Sequence, residues 1–476
     1  MILSKMRRNM KPIIIVVAVA FAMGLLYLGL PGGGFFGGSA RAGVIATVNG
    51  EAIDQIQFRN TLIQYVTNLE AQYGSLPSGQ IELVSAQLLK QLIDEKILLH
   101  AAKEAKIKVD KKEVDEEKDE FAKQVGGDEQ FEQLLKYNDV TRADFAARIK
   151  EQLMMQKLLE QVAGSGTVTP EEVTQAYEEV HAQHILVRTT GDTEQETQAK
   201  AKIDEIKAKL DQGAEFAAVA KEFSEDPGSK DNGGDLGFIS RGQTVPEFEK
   251  AAFTLQAGEV SDPVKSQFGY HLIKVVDRKE AVGEEFEKVK PEIEEQLKQA
   301  KQNQLVAQWF QEQKDAAKIE IHDVKLSAYT AKLEGRTDEA LLLFAKAAEV
   351  EPNNGYLYAS LGELYEGQGD IDQALVNFQK AAELIKTDAS LYFVLGTLYQ
   401  EKEDNDAALQ AYQQAGQLDP DNFYLHYSLM SVYSELGQNE LVEQEMKVLE
   451  EMQKKAEEAQ KKAAEEQENN NEASQN

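Results

Sequence analysis

The sequence predicts a multidomain protein in which an N-terminal transmembrane helix precedes an all-α domain, a small α+β domain and an all-α solenoid. Three observations lead to this fold class. At 476 residues the chain is too long for a single hydrophobic core. Its apolar pattern changes from helical to mixed near residue 181 and returns to helical near residue 280. Self-similarity with a period of 34 residues then appears in the last third.

The N-terminus predicts a membrane anchor. Residues 13–30 read IIIVVAVAFAMGLLYLGL, an uncharged run long enough to cross about 30 Å of hydrocarbon as a helix. The basic, acid-free residues 1–12 place the N-terminus in the cytoplasm and the bulk of the chain outside the membrane. A cleaved signal peptide is the alternative, because Ala40-Arg41-Ala42 loosely fits a small-x-small site. Retention is favoured, since the apolar run is long and a glycine-rich spacer, residues 31–42, follows it.

Composition excludes several classes of function. The formal net charge of −31 disfavours nucleic acid as a partner, because phosphates are bound by neutralising them with Lys and Arg. The chain contains no cysteine, which excludes disulfides, thiolate metal sites, a cysteine nucleophile and a lipid anchor on cysteine. We expect neither a metal nor a cofactor.

Residues 43–175 predict a helical domain that opens with a short strand. The run VIATV turns at Asn49-Gly50, and apolar residues then recur at three- and four-residue spacing in segments 55–73, 81–105, 112–124 and 142–162. Residues 281–322 predict one long amphipathic helix that ends in the β-like run KIEI. We hypothesise that this last run pairs with VIATV and closes the helical domain around the segment between them.

Residues 176–280 predict a small α+β domain. The order is a strand HILVR, two helices, a glycine-rich loop, a short helix and a closing strand YHLIKVV. His184 and His271 lie in the two apolar strands. Because a buried imidazole needs partners for both ring nitrogens, they predict a hydrogen-bonded pair at the centre of the domain. Taken alone, such a pair also fits a purely structural role.

The same segment resembles the parvulin family of peptidyl-prolyl cis/trans isomerases. The motifs GGDLG, SRGQ, PEFE and FGYH occur in the family's order, and the resemblance covers residues 181–276. It implies a catalytic set of His184, Asp226, Ser266 and His271. It also implies a substrate-binding wall for the proline ring formed by Leu236, Thr244, Phe248 and Phe268.

Two positions depart from the family pattern. Thr244 stands where methionine is usual, and Ile239 stands where an aromatic residue is common. We therefore expect a more polar and looser pocket. These departures keep an alternative open, in which the protein is a catalytically inactive holdase or scaffold that binds unfolded chains or envelope complexes.

The opening run and the domain order resemble the extracytoplasmic chaperones of the SurA, PrsA and PpiD group. This resemblance implies that the helical domain holds unfolded or nascent secreted or envelope proteins, while the isomerase acts on their X-Pro bonds. The implied location is the cell membrane, crossed once, with the bulk of the chain extracytoplasmic.

The repeat region, residues 323–452, resembles the tetratricopeptide repeat (TPR). Blocks beginning at Gly355 and Ala389 share seven positions 34 residues apart, including the pairs Gly362/Gly396 and Phe378/Tyr412. The resemblance implies a concave groove for an unknown protein partner, with aromatic residues at Tyr356, Phe393, Tyr424 and Tyr427. Glu363 and Glu366 would make this groove suited to apolar or basic segments. The alternative is that the aromatic residues mainly pack the solenoid. Residues 453–476 predict a low-complexity tail, helical at first and disordered from Asn469.

Overall fold

The computed structural model describes residues 43–73, 78–137, 140–164, 166–189 and 193–473. Among these residues, no helix is both long enough and apolar enough to cross a membrane. The predicted anchor at residues 13–30 and its flanking segments lie outside the described residues. Two compact units are present: one spans residues 156–312, and the other combines the described residues before 156 with those after 312.

The described residues contain both strands and helices. The strands are β1 (Val44–Val48), β2 (Glu51–Asp54), β3 (Glu179–Arg188), β4 (Asp235–Ser240), β5 (Val264–Ser266), β6 (Gly269–Lys279) and β7 (Ile319–Ile321). The helices before the repeats are α1 (Gln55–Tyr73), α2 (Ser78–Glu104), α3 (Lys111–Gln124), α4 (Asp128–Tyr137), α5 (Arg142–Ala163), α6 (Pro170–Tyr177), α7 (Thr193–Asp211), α8 (Phe216–Phe223), α9 (Pro246–Thr254) and α10 (Gly283–Ala316). The remaining helices are α11 (Val324–Leu333), α12 (Thr337–Val350), α13 (Gly355–Gly367), α14 (Ile371–Leu384), α15 (Ala389–Glu401), α16 (Asn405–Leu418), α17 (Phe423–Glu435) and α18 (Asn439–Ala473).

A three-stranded sheet joins the start of the chain to the segment before the repeats. Its order is β2-β1-β7, and β1 and β2 form a hairpin that turns at Asn49-Gly50. β7 runs antiparallel to β1, with Ala46 opposite Ile321 and Val48 opposite Ile319. The hypothesised return pairing is therefore present. Between β2 and β3 the chain also forms α4 and α6, two short helices that were not predicted from the sequence.

The N-terminal helices and the first repeat share a core. Ala86 of α2 lies in one buried cluster with Ala328 and Ala331 of α11. At the edge of this contact, Lys325 Nζ lies 2.9 Å from a carboxylate oxygen of Glu82. Residues 43–175 and 323–452 were predicted to be separate domains. The described residues of the first up to Met155 and those of the second belong to one compact unit.

Close helix packing defines the repeats. A Cβ added at Gly396 of α15 would lie 2.5 Å from the Tyr412 ring of α16, and one added at Gly362 would lie 2.6 Å from the Phe378 ring. Only glycine therefore allows these helices to approach so closely. α18 extends to Ala473, four residues past Asn469, where disorder was predicted.

The other unit is built on a four-stranded antiparallel sheet in the order β4-β3-β6-β5. Side chains alternate between its two faces. One face packs against α7 and α8 through a cluster that includes Ile185, Ile203 and Leu272. The opposite face packs against α9 through a cluster that includes Phe248 and Ile273.

We predict that Gly396→Ala lowers the free energy of unfolding by roughly 1 to 3 kcal/mol, the usual cost of overpacking a core. The reason is the clash between the added methyl group and the Tyr412 ring. Urea unfolding followed by circular dichroism measures the change. Gly367→Ala is the control, since no atom lies within 4 Å of its added methyl group. Equal effects of the two substitutions would contradict this packing argument.

Candidate active site

The register of β3 and β6 brings the two predicted histidines together. His184 lies opposite Ile273 and His271 lies opposite Leu186, so the imidazoles are diagonal neighbours on one face of the sheet. Their Nδ1 atoms are 3.5 Å apart and their rings are nearly parallel, at 19°. Both side chains are buried, with 7% and 4% of their surface exposed. The predicted histidine pair is therefore present.

The loop after α8 brings a carboxylate to this pair. Asp226 Oδ2 lies 2.9 Å from His184 Nε2. The loop is fixed to β3, because Ser224 Oγ accepts the backbone N–H of Leu186 at 3.2 Å. At Gly234 the backbone comes very close to β3, since a Cβ there would lie 2.2 Å from the His184 carbonyl oxygen. Glycine at 234 thus permits the contact between Asp226 and His184.

Burial and hydrogen bonding set the charges of the site. Burial raises the pKa of Asp226, but hydrogen bonds from Ser229 and His184 outweigh it and bring this pKa down to about 2. Burial lowers the pKa of His271 to about 4, with a further lowering from His184 and an opposing effect of Asp226. At neutral pH, Asp226 is therefore ionised and His271 is neutral.

These charges give the hydrogen bonds a single direction. An ionised Asp226 accepts a hydrogen bond from His184 Nε2–H, and in this tautomer His184 Nδ1 is an acceptor. His271 Nδ1–H then donates to it, so that His271 Nε2 accepts from the Ser266 hydroxyl at 2.7 Å. Ser266 Oγ in turn accepts the backbone N–H of Phe268 at 3.1 Å. Each polar group along this chain has a partner.

The predicted proline wall lies around the histidines only in part. The Phe248 ring stands edge-on to both imidazoles, with centroids 5.7 Å from His184 and 5.5 Å from His271. Leu236 packs against the buried cluster that contains Phe248. Phe268 follows Ser266 and leaves 54% of its side chain exposed, which makes its ring available to a ligand.

The two departures from the family pattern have different surroundings. Ile239 is buried opposite Val180, within the same cluster as Phe248, so it fills the core. The Thr244 hydroxyl is buried and has no hydrogen-bond partner among the described residues.

The four aromatic residues predicted for the repeat groove are placed unequally. Tyr356 lies against Gly79 of α2, and Phe393 packs on Tyr412 with ring centroids 5.3 Å apart. Tyr424 and Tyr427 are 82% and 57% exposed. Only these last two present most of their surface to solvent. On α13, burial raises the pKa of Glu366, and the charges of Glu363 and Glu401 add to this effect.

Ser229 belongs to the site although the sequence analysis did not select it. Its hydroxyl lies 2.5 Å from Asp226 Oδ2 and 3.0 Å from His184 Nε2. A signal was present, because an aspartate followed three residues later by serine is typical of a turn in which side chains bond the backbone. The backbone N–H of Ser229 does donate to Asp226, at 3.1 Å.

Comparisons with known families cover each part of the chain. The model of the PPIC-type PPIASE domain matches residues 168–279, and that of the SurA-like N-terminal domain matches residues 2–159. Two models of tetratricopeptide repeats match residues 356–388 and 398–437. The parvulin and repeat resemblances are therefore confirmed.

Individual relatives extend the comparison beyond single domains. The foldase protein PrsA of Clostridium botulinum (strain Kyoto / Type A2) is 33% identical over 308 residues, which are 59% of this chain and 89% of the relative. PrsA of Clostridium kluyveri is 36% identical over 307 residues, 58% of this chain and 87% of the relative. The crystal structure of a peptidylprolyl isomerase (PrsA) from Bacillus cereus is 32% identical and covers 62% of this chain and 100% of its own, with a TM-score of 0.30.

The structural score is low, so the assignment rests on sequence. The C. botulinum relative is matched over nearly its whole length, and the isomerase model lies on the unit that contains the histidine pair. The chain therefore belongs to the PrsA foldase family, and it is a parvulin-type peptidyl-prolyl cis/trans isomerase with tetratricopeptide repeats near its C-terminus.

Proposed function

We propose that this chain is a membrane-anchored, extracytoplasmic foldase that isomerises X-Pro bonds in secreted or envelope proteins. The uncharged run at residues 13–30 supports the anchor, and the relatives named as foldases support work on unfolded chains. In this proposal the N-terminal helical region holds the client. The exposed tyrosines of the last repeat bind a protein segment.

Within the isomerase, we assign catalysis to His184, Asp226, His271 and Ser266, and substrate binding to Leu236, Thr244, Phe248 and Phe268. Rotation about an X-Pro bond must cross a barrier of about 18 to 20 kcal/mol, because amide resonance is lost as the bond twists. No covalent bond is made or broken. A site accelerates this reaction if it binds the twisted amide more tightly than either planar form.

One observation carries the assignment: an ordered chain of hydrogen bonds lies directly beneath an apolar ring. The buried Phe248 ring packs at a steep angle to both imidazoles, and we assign it to the apolar wall that holds the proline ring. A proline bound there loses contact with water, which otherwise stabilises the polar planar amide. The network below it is rigid and hydrogen-bonded, so it holds the shape of the pocket.

We predict that Phe248→Leu lowers kcat/KM for an Ala-Pro peptide by tenfold or more, or at least about 1.4 kcal/mol of transition-state binding. The full chain is assayed by NMR exchange between the cis and trans peptide. Phe253→Leu is the matched control, because Phe253 lies on the same helix but stacks on Arg241 instead of the histidines. Retained activity in Phe248→Leu would refute the assigned pocket. Absence of activity from the folded wild-type chain would favour the holdase alternative.

We predict that isomerase activity is constant between pH 8 and pH 5.5. His271, with a pKa of about 4, stays neutral over this range, and Asp226, with a pKa of about 2, stays ionised. Activity is lost only as the pH falls toward the pKa of His271, where its protonation removes the acceptor for Ser266. A histidine of ordinary pKa, near 6.5, would be about nine-tenths protonated at pH 5.5. A fall in kcat/KM centred near pH 6.5 would therefore contradict the assigned charges.

We predict that replacing Tyr424 and Tyr427 by alanine weakens binding of a reduced, carboxymethylated unfolded protein several-fold, since exposed aromatic anchors contribute strongly to interfaces. Fluorescence anisotropy measures the Kd. Stability should change by less than about 0.5 kcal/mol, as for other surface substitutions. Val282→Ala is the control, because this apolar residue is 69% exposed and lies outside both the N-terminal helices and the repeats. An unchanged Kd in the double variant would remove the repeat tyrosines from client binding.

A further inference from the structure

Ser229 occupies a special position in the isomerase site. Only 2% of its surface is exposed, and it immediately precedes the short helical turn Lys230–Asn232. Its hydroxyl lies within hydrogen-bond distance of both Asp226 and His184. Its backbone N–H reaches the same carboxylate oxygen, Asp226 Oδ2. Three donors therefore converge on this oxygen: the Ser229 hydroxyl, the Ser229 amide and His184 Nε2.

The single proton of the Ser229 hydroxyl can be assigned. Asp226 Oδ2, at 2.5 Å, is the nearer and the charged acceptor, so the hydroxyl donates to it. His184 Nε2, at 3.0 Å from Ser229 Oγ, must then carry a proton of its own, because two acceptors would repel each other. The hydrogen bonds that lead from His184 through His271 to Ser266 require this same His184 tautomer.

Apart from Ser229 and His184, the surroundings supply little stabilisation for the Asp226 carboxylate. The groups facing the network are Asp226 and Ser229 from the loop, His184 from β3, His271 from β6, Ser266 from β5 and the uncharged Phe248 from α9. The neighbouring Glu225 is turned away and pairs with Lys202 at 2.5 Å. Gly228 adds one longer backbone bond, at 3.4 Å, to the other oxygen of Asp226. The Ser229 hydroxyl is thus the shortest hydrogen bond that Asp226 receives.

We propose that Ser229 is a positioning residue of the isomerase: by saturating Asp226, its hydroxyl prevents the Asp226–His184–His271 network from taking up a proton in mildly acidic surroundings. An added proton would sit on the carboxylate or on an imidazole. Either position reverses or breaks the series of hydrogen bonds that ends at Ser266, because His271 Nε2 would no longer be free to accept the Ser266 hydroxyl. The proposal rests on the assignment of these residues to the active site.

The test is Ser229→Ala in the full chain, labelled selectively with 15N-histidine. The chain has six histidines, so their ring signals can be followed individually from pH 8 to pH 5. Loss of a hydrogen bond to a charged group is expected to move the first proton uptake of the network upward by roughly 1 to 2 pH units. The kcat/KM of the variant should then begin to fall at a pH about 1 to 2 units above that at which the wild type begins to lose activity.

Two further variants separate positioning from general destabilisation. Ser229→Thr retains the hydroxyl and should restore the wild-type titration. Ser261→Ala removes another buried hydroxyl of the same domain, which accepts only the backbone N–H of Ile273 and should leave the titration unchanged. Histidine signals in folded Ser229→Ala that titrate as in the wild type would overturn the proposal. The NMR titration does not depend on activity, so an inactive wild type would refute the proposed function without deciding this inference.

Discussion

The negative charge of Asp226 orders the isomerase site. It fixes the proton on His184 Nε2, and through His184 it determines which nitrogen of His271 donates and which accepts. The effect reaches Ser266, on a different strand, through three hydrogen bonds. A buried charge is stable only when donors surround it. The loop from Ser224 to Ser229 supplies those donors, and the close approach at Gly234 holds that loop against β3.

The sheet allows one pair of strands to carry both a core and a site. Along β3, Ile185 and Val187 point toward α7 and α8, while His184 points toward α9. The same alternation on β6 separates Leu272 from His271. A one-residue slip between these strands would exchange the two sets. The aliphatic residues that bury one face therefore also fix the position of the histidines on the other.

Local patterns predicted much of this fold, and long-range contacts account for most of what they missed. The helix α1, the pairing of β7 with β1 and the helical repeats follow from periodicity, turn residues and the recurrence of Gly362 and Gly396. The helix α6 was missed although Thr169 and Glu172 form a capping box, because eight residues are too few to show a period. The core shared by Ala86 and Ala328 has no local signature. Ser229 was missed for a related reason: the sequence shows a turn, but only the folded strand brings His184 to it.

A neutral His271 and an ionised Asp226 argue for catalysis by binding instead of proton transfer. With a pKa of about 4, His271 holds no proton to donate as an imidazolium at neutral pH, and Asp226, with a pKa of about 2, is a weak base. Rotation about an X-Pro bond requires neither, since no bond is broken. In the proposed function, the network supplies fixed dipoles next to Phe248, and such preorganised groups need not rearrange as the amide twists.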